Sequence, residues 1–194
     1  MHVYALALFA HLCGVVGIFG GLGTWVLGVA ALRQTERVEQ VRTLTALITA
    51  ASALMVGSIV VLGIAGFYMA LTVWGIRATW IAVATLSFIL LAPLGLLILD
   101  PRVRAIAKQA HSAPEGPLPH ALAARVRDPV LGGGLSAYVG CLFGIVFLMT
   151  NKPEIGESIL VMVLALVIGP LACLPLWWSA RVPTPRRTSS SGHS

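Results

Sequence analysis

Val3–Leu32 reads VYALALFAHLCGVVGIFGGLGTWVLGVAAL. Thirty residues pass without a charge, and about 20 apolar residues suffice to cross the hydrocarbon core of a bilayer. The stretch therefore reads as a membrane-spanning helix. Within it, Gly14, Gly17, Gly21 and Gly28 fall within about 60° of one another on a helical wheel. Ala10 extends the stripe. Small residues in such a row let a second backbone approach closely, which is how helices associate in lipid. The expectation is a central first helix with other helices laid against its glycine face.

His11 sits beside this stripe and is expected to face the bundle interior or its edge. An intramembrane histidine needs a partner. Two readings stay open. His11 bonds a carbonyl or hydroxyl on a neighbouring helix, for which Tyr68 and Tyr138 are candidates, or its imidazole serves as a metal ligand or proton carrier.

The rest of the chain repeats the pattern of apolar run and polar link. Of 194 residues, 58% are hydrophobic and only 10% charged, a membrane composition. Spans are predicted over 3–32, 44–74, 80–99, 129–150 and 159–180, giving an all-α, polytopic bundle of five transmembrane helices over residues 1–182. In the second span, Ala53 with Gly57, and Gly66 with Ala70, are spaced to form another packing face. Trp74, Trp80, Trp177 and Trp178 read as interface anchors. Pro93 is placed to kink the third span, and Gly169-Pro170 with Pro175 to bend the fifth. Between spans, 100–128 is the one long polar segment. Its start, DPRVRAIAKQAH, forms an amphipathic helix expected to lay Val103, Ile106 and Ala107 on lipid and its basic residues on an anionic surface. The tail over 183–194 is expected to be a disordered cytoplasmic extension.

The charges orient the bundle. Basic residues outnumber acidic ones 13 to 7. Arg33, Arg37, Arg42, Arg102, Arg104, Lys108, Arg125, Arg127, Arg181, Arg186 and Arg187 all fall on one side of a five-span threading. Only Arg77 and Lys152 fall on the other. Positive residues stay inside, so the N-terminus is expected outside and the C-terminus in the cytoplasm. A cleaved leader is not expected, because no basic segment precedes the first run. Arginine outnumbers lysine eleven to two, which suits a GC-rich bacterial genome, and the expected location is a bacterial inner membrane. The expected partners are the lipid bilayer and other membrane proteins or further copies of the chain. Charge sorted by topology leaves no reason to invoke nucleic acid.

Chemistry is sparse. No Asp, Glu, Lys or Arg falls within a predicted span, which argues against a carboxylate relay, a charged ion path or a membrane metalloprotease. The serines lack an acid for a catalytic triad. Cys13, Cys141 and Cys173 lie in apolar runs without a CxxC pair, the pattern of packing cysteines. His111 and His120 fall in the polar segment and read as solvated. For a cofactor, His11 is the one imidazole in the bilayer, and Met69 and Met162 lie toward the same side. A His/Met pair suits haem iron, and imidazole with soft sulfur suits copper.

The stretch LFAHLCGVVGIFGG (Leu8–Gly21), with GIAGFYMA (Gly63–Ala70) and Trp80, resembles an uncharacterised family of predicted bacterial integral membrane proteins over about residues 1–110. More distantly, it is similar to the membrane domain of copper-resistance D-type proteins. The first resemblance implies no established activity. The second implies copper or haem handling, carried over only to His11. The sequence thus predicts a non-enzymatic interaction or assembly component. The alternatives are a haem- or copper-binding membrane protein, or a small-solute transporter.

Overall fold

The computed structural model describes residues 2–75 and 78–179. Arg77 and the tail arginines lie outside them, as do the side chains of Trp74, Trp177 and Trp178. The described chain is helical, in the order α1 (His2–Leu32), α2 (Val38–Met69) prolonged by a π-helical turn (Ala70–Trp74), α3 (Thr79–Pro93), a π-helical segment (Leu94–Leu99), α4 (Asp100–Ser112), α5 (His120–Val126), α6 (Pro129–Asn151) and α7 (Ile155–Ser179). Five of these helices, α1, α2, α3, α6 and α7, supply runs long and apolar enough to cross a membrane. A helix meets all its backbone hydrogen bonds internally, the condition lipid imposes. At 1.5 Å per residue, α1 is about 46 Å long and must tilt or project beyond a core of about 30 Å.

Boundaries differ from the sequence expectation at three places, the last helix beginning at Ile155 rather than Ile159. The second helix begins at Val38 rather than Leu44, and the third does not stop at Leu99. After Pro93 the helix widens, with the Asp100 N–H reaching back to the Gly95 carbonyl, and runs on into α4 without a break. Pro101 sits in the first turn of α4, where a missing N–H costs no bond.

The central helix is α6, not α1. More than half (56%) of its most apolar window is buried inside the protein, against 22% for α1. Glycines explain the difference. On one side, Gly134 meets the Leu99 and Leu94 side chains, and Gly95 of the widened segment lies against the Tyr138 ring. On another, Gly140 and Gly144 meet α7 at Ala165, Gly169 and Met162. On a third, Phe143 contacts Phe19 of α1 edge-on, with ring centroids 5.2 Å apart.

The polar segment is not a lipid-surface helix. Val103, Ile106 and Ala110 of α4 are each at most 2% exposed, covered by protein. They join Val29 and Leu32 of α1, Val38 and Val41 of α2, Leu122 and Val126 of α5, and Leu131 of α6, all equally buried. This is a water-side core, here called the cap. The hydrophobic effect explains its position, since apolar area gains about 25 cal/mol per Å² only on leaving water. Outside the cap, apolar side chains of the spans such as Ile64 and Phe67 stay exposed, 70% and 65%, because helix association in lipid has no such drive.

Candidate functional site

The α1–α2 seam is built on the glycine stripe. A methyl group at Gly14 would lie 2.8 Å from the Leu62 Cβ and 2.9 Å from the Ser58 carbonyl, and one at Gly28 would lie 2.7 Å from Ile48. At Gly17 it would collide with the Ser58 hydroxyl, and at Gly21 with Met55. On α2 the partner face is thus Ile48, Ala51, Met55, Ser58 and Leu62. Ala53 and Gly57 turn away from it, since a methyl at Gly57 meets nothing within 4 Å. One turn further, Gly66 of α2 makes room for the His11 ring, whose Nδ1 would lie 3.1 Å from a Cβ there.

His11, half-buried, donates from Nδ1 to the Leu62 carbonyl at 3.2 Å. Its partner is therefore a backbone carbonyl and neither tyrosine hydroxyl. Tyr138 packs instead on Gly95. With the proton on Nδ1, Nε2 carries the lone pair. Met69 is buried on α2, three residues past Gly66. Met162 belongs to a different seam, its sulfur against Gly144. Among the described residues, no group of three or more His, Cys, Asp and Glu is placed to hold a metal ion. His11 and Met162 thus sit in different seams, His11 against Gly66 and Met162 against Gly144, and among the described side chains of the α1–α2 seam His11 carries the one imidazole.

Interhelical hydrogen bonds inside membranes average about 0.6 kcal/mol, because the separated helices also find partners. His11→Ala is accordingly expected to lower stability by no more than about 1 kcal/mol, read as a small shift in the thermal midpoint of the detergent-solubilised chain. A loss several times larger would show that the imidazole holds more than the Leu62 carbonyl.

The second constellation is at the cap and was not legible in the sequence. Arg33, 6% exposed, donates from Nη2 to the Asp128 carbonyl at 3.0 Å and, more weakly, to that of Arg127 at 3.5 Å. Gly132 leaves it room, since a Cβ there would lie 2.9 Å from Nη2. Asp128 also receives the Val130 N–H at 2.8 Å, capping α6, and pairs with Arg102 at 3.2 Å. Across the cap, Arg42 closes the C-terminal end of α4, donating to the Ala110 and Ala113 carbonyls at 3.0 and 2.7 Å. Cations at helix C-termini complement the unpaired carbonyls there. The loop after α4 is tied to the α1–α2 link by Val38 N–H to Gly116 (3.0 Å) and Leu118 N–H to Glu36 (2.8 Å). Gly116 holds a φ of +132°, which side chains rarely adopt.

The sequence did carry a signal for the α6–α7 seam, the Gly140-x3-Gly144 spacing. Nothing in it marks Arg33 as buried, because an arginine beside a span reads as a topological charge.

Residues 5–153 match a family model described as "Predicted integral membrane protein (DUF2269)". No curated protein and no solved structure matches.

Proposed function

The chain belongs to the DUF2269 family of predicted integral membrane proteins, and on that footing we propose that it is a non-enzymatic interaction or assembly component of a bacterial inner membrane, with its N-terminus outside and its cap in the cytoplasm. The observation that carries this reading is the cap. Multi-pass helices need no water-side core to remain in lipid. Here segments of five helices close around one and fix an aqueous surface that displays Arg104, Lys108 and Arg125. Such a surface suits contact with another component. The sorting of eleven basic residues to this side, against two, supports the orientation.

A second reading rests on His11. Donation from Nδ1 to a backbone carbonyl is the outer-shell arrangement that orients metal-binding imidazoles, and it leaves Nε2 for an axial bond to haem iron or for copper. Small-solute transport has less support. Hydroxyls that could line a path, those of Thr45, Ser136 and Ser158, are given to backbone carbonyls.

The absorbance spectrum and metal content of the purified full-length chain separate these readings. A colourless, metal-free protein is expected. A Soret band that disappears in His11→Ala overturns the first reading in favour of the second. The orientation is tested on Lys152, exposed where α6 ends. A membrane-impermeant amine reagent is expected to reach it from outside intact cells, and labelling seen only after the cells are opened inverts the threading.

A further inference from the structure

We infer that the α5–α6 junction binds the phosphate of an anionic phospholipid through Arg125 and Arg127. The junction is fixed from within. Leu122 and Val126 anchor α5 in the cap, Arg33 takes the Asp128 carbonyl, and the Asp128 carboxylate is engaged by the Val130 N–H and by Arg102. From outside, the same few residues present two exposed guanidinium groups. Neither takes part in the ion pairs that engage other arginines of the cap. Arg37, Arg42, Arg102 and Arg104 each face a carboxylate.

Position selects the occupant. Arg127 lies two residues before Pro129, where the apolar helix α6 begins, and Val130 beside it is 45% exposed. Cations immediately outside an apolar span, with an exposed aliphatic side chain just inside it, match the phosphate and acyl chain of one lipid molecule. Guanidinium groups bind phosphate oxygens in pairs and lose less hydration than ammonium groups. Lys108, the other exposed cation of the cap outside those pairs, is on α4, six residues and about 9 Å beyond Arg102, which meets the junction at Asp128. It stands too far from the junction to share the site.

The test uses the purified full-length chain in detergent, titrated with phosphatidylglycerol or phosphatidylcholine and followed by native mass spectrometry. Phosphatidylglycerol is expected to bind more tightly. Each basic residue beside an anionic headgroup contributes about fivefold, so Arg125→Gln with Arg127→Gln is expected to cut the preference by about thirtyfold. Lys108→Gln is expected to leave it intact. The substituted side chains are exposed, and an unchanged helical signal in the double variant shows that the fold persists. A preference that survives the double substitution, or that falls with Lys108→Gln alone, overturns the site. Displacement of the lipid by inorganic phosphate at millimolar concentration identifies a soluble anion as the occupant and overturns the lipid assignment.

Discussion

Replacing Gly140 by leucine is expected to detach α7 from α6 and lower the thermal midpoint by about 5–10 °C. At this position a Cβ would run into the Ala165 carbonyl and stand 2.9 Å from the Gly169 Cα. Both obstacles are backbone, so no rotamer change relieves them. Overpacking a well-packed site costs about 1–3 kcal/mol, and the absence of a yielding side chain puts this one near the upper figure. In lipid nothing else drives the two helices together, so lost approach is lost association. Gly57→Leu is the matching control. It is also a mid-helix glycine facing the bilayer, with nothing within 4 Å of its would-be Cβ, and is expected to leave the midpoint unchanged. Equal losses at both positions would mean that the loss of a helix glycine as such, not the loss of close approach at Gly140, lowers the midpoint.

Arg33→Ala is expected to loosen the junction of α5 and α6 by about 2–4 kcal/mol while leaving the glycine seams in place. A hydrogen bond to a charged group contributes about 1.5–3 kcal/mol, and removing a nearly buried side chain adds an unfilled volume. The measurement is amide hydrogen exchange. Residues 120–131 are expected to exchange faster, and the α6–α7 contact around Gly144 at its original rate. Arg33→Lys is expected to recover only part of the protection, because a compact ammonium cannot reach two successive carbonyls as the planar fork does. Gly132→Val reaches the same end by another route, since its side chain would occupy the space of the guanidinium. Uniform acceleration along all the spans in either variant would show that Arg33 supports the whole bundle.

What could be read from the sequence divides along the same physical line as the structure. The five spans were legible because the bilayer imposes length and apolarity on each segment separately. The glycines of α1 were legible as a stripe because helical periodicity is local, although the helix they serve proved peripheral. The centre of the bundle depends on which helix has contacts on several sides, and α6 shows this only through glycines dispersed at Gly134, Gly140 and Gly144. The continuation of α3 into α4 was hidden because Asp100-Pro101 has the look of a break, while proline in a first helical turn is harmless. The cap was misread for a related reason. An amphipathic helix beside a membrane has an apolar face, and sequence does not say whether lipid or protein covers it. At His11, the need for a polar partner was clear, but a carbonyl 51 residues away is invisible until α2 is laid alongside.

The water-side core has a thermodynamic consequence. Part of this molecule is held together by the expulsion of water, and the rest by close contact where there is none to expel. The first kind of cohesion weakens on cooling, and the second does not depend on hydration. Chilling or mild urea therefore acts on one end of the molecule alone. The protein carries a region that softens while the transmembrane helices, in the same chain, keep their arrangement.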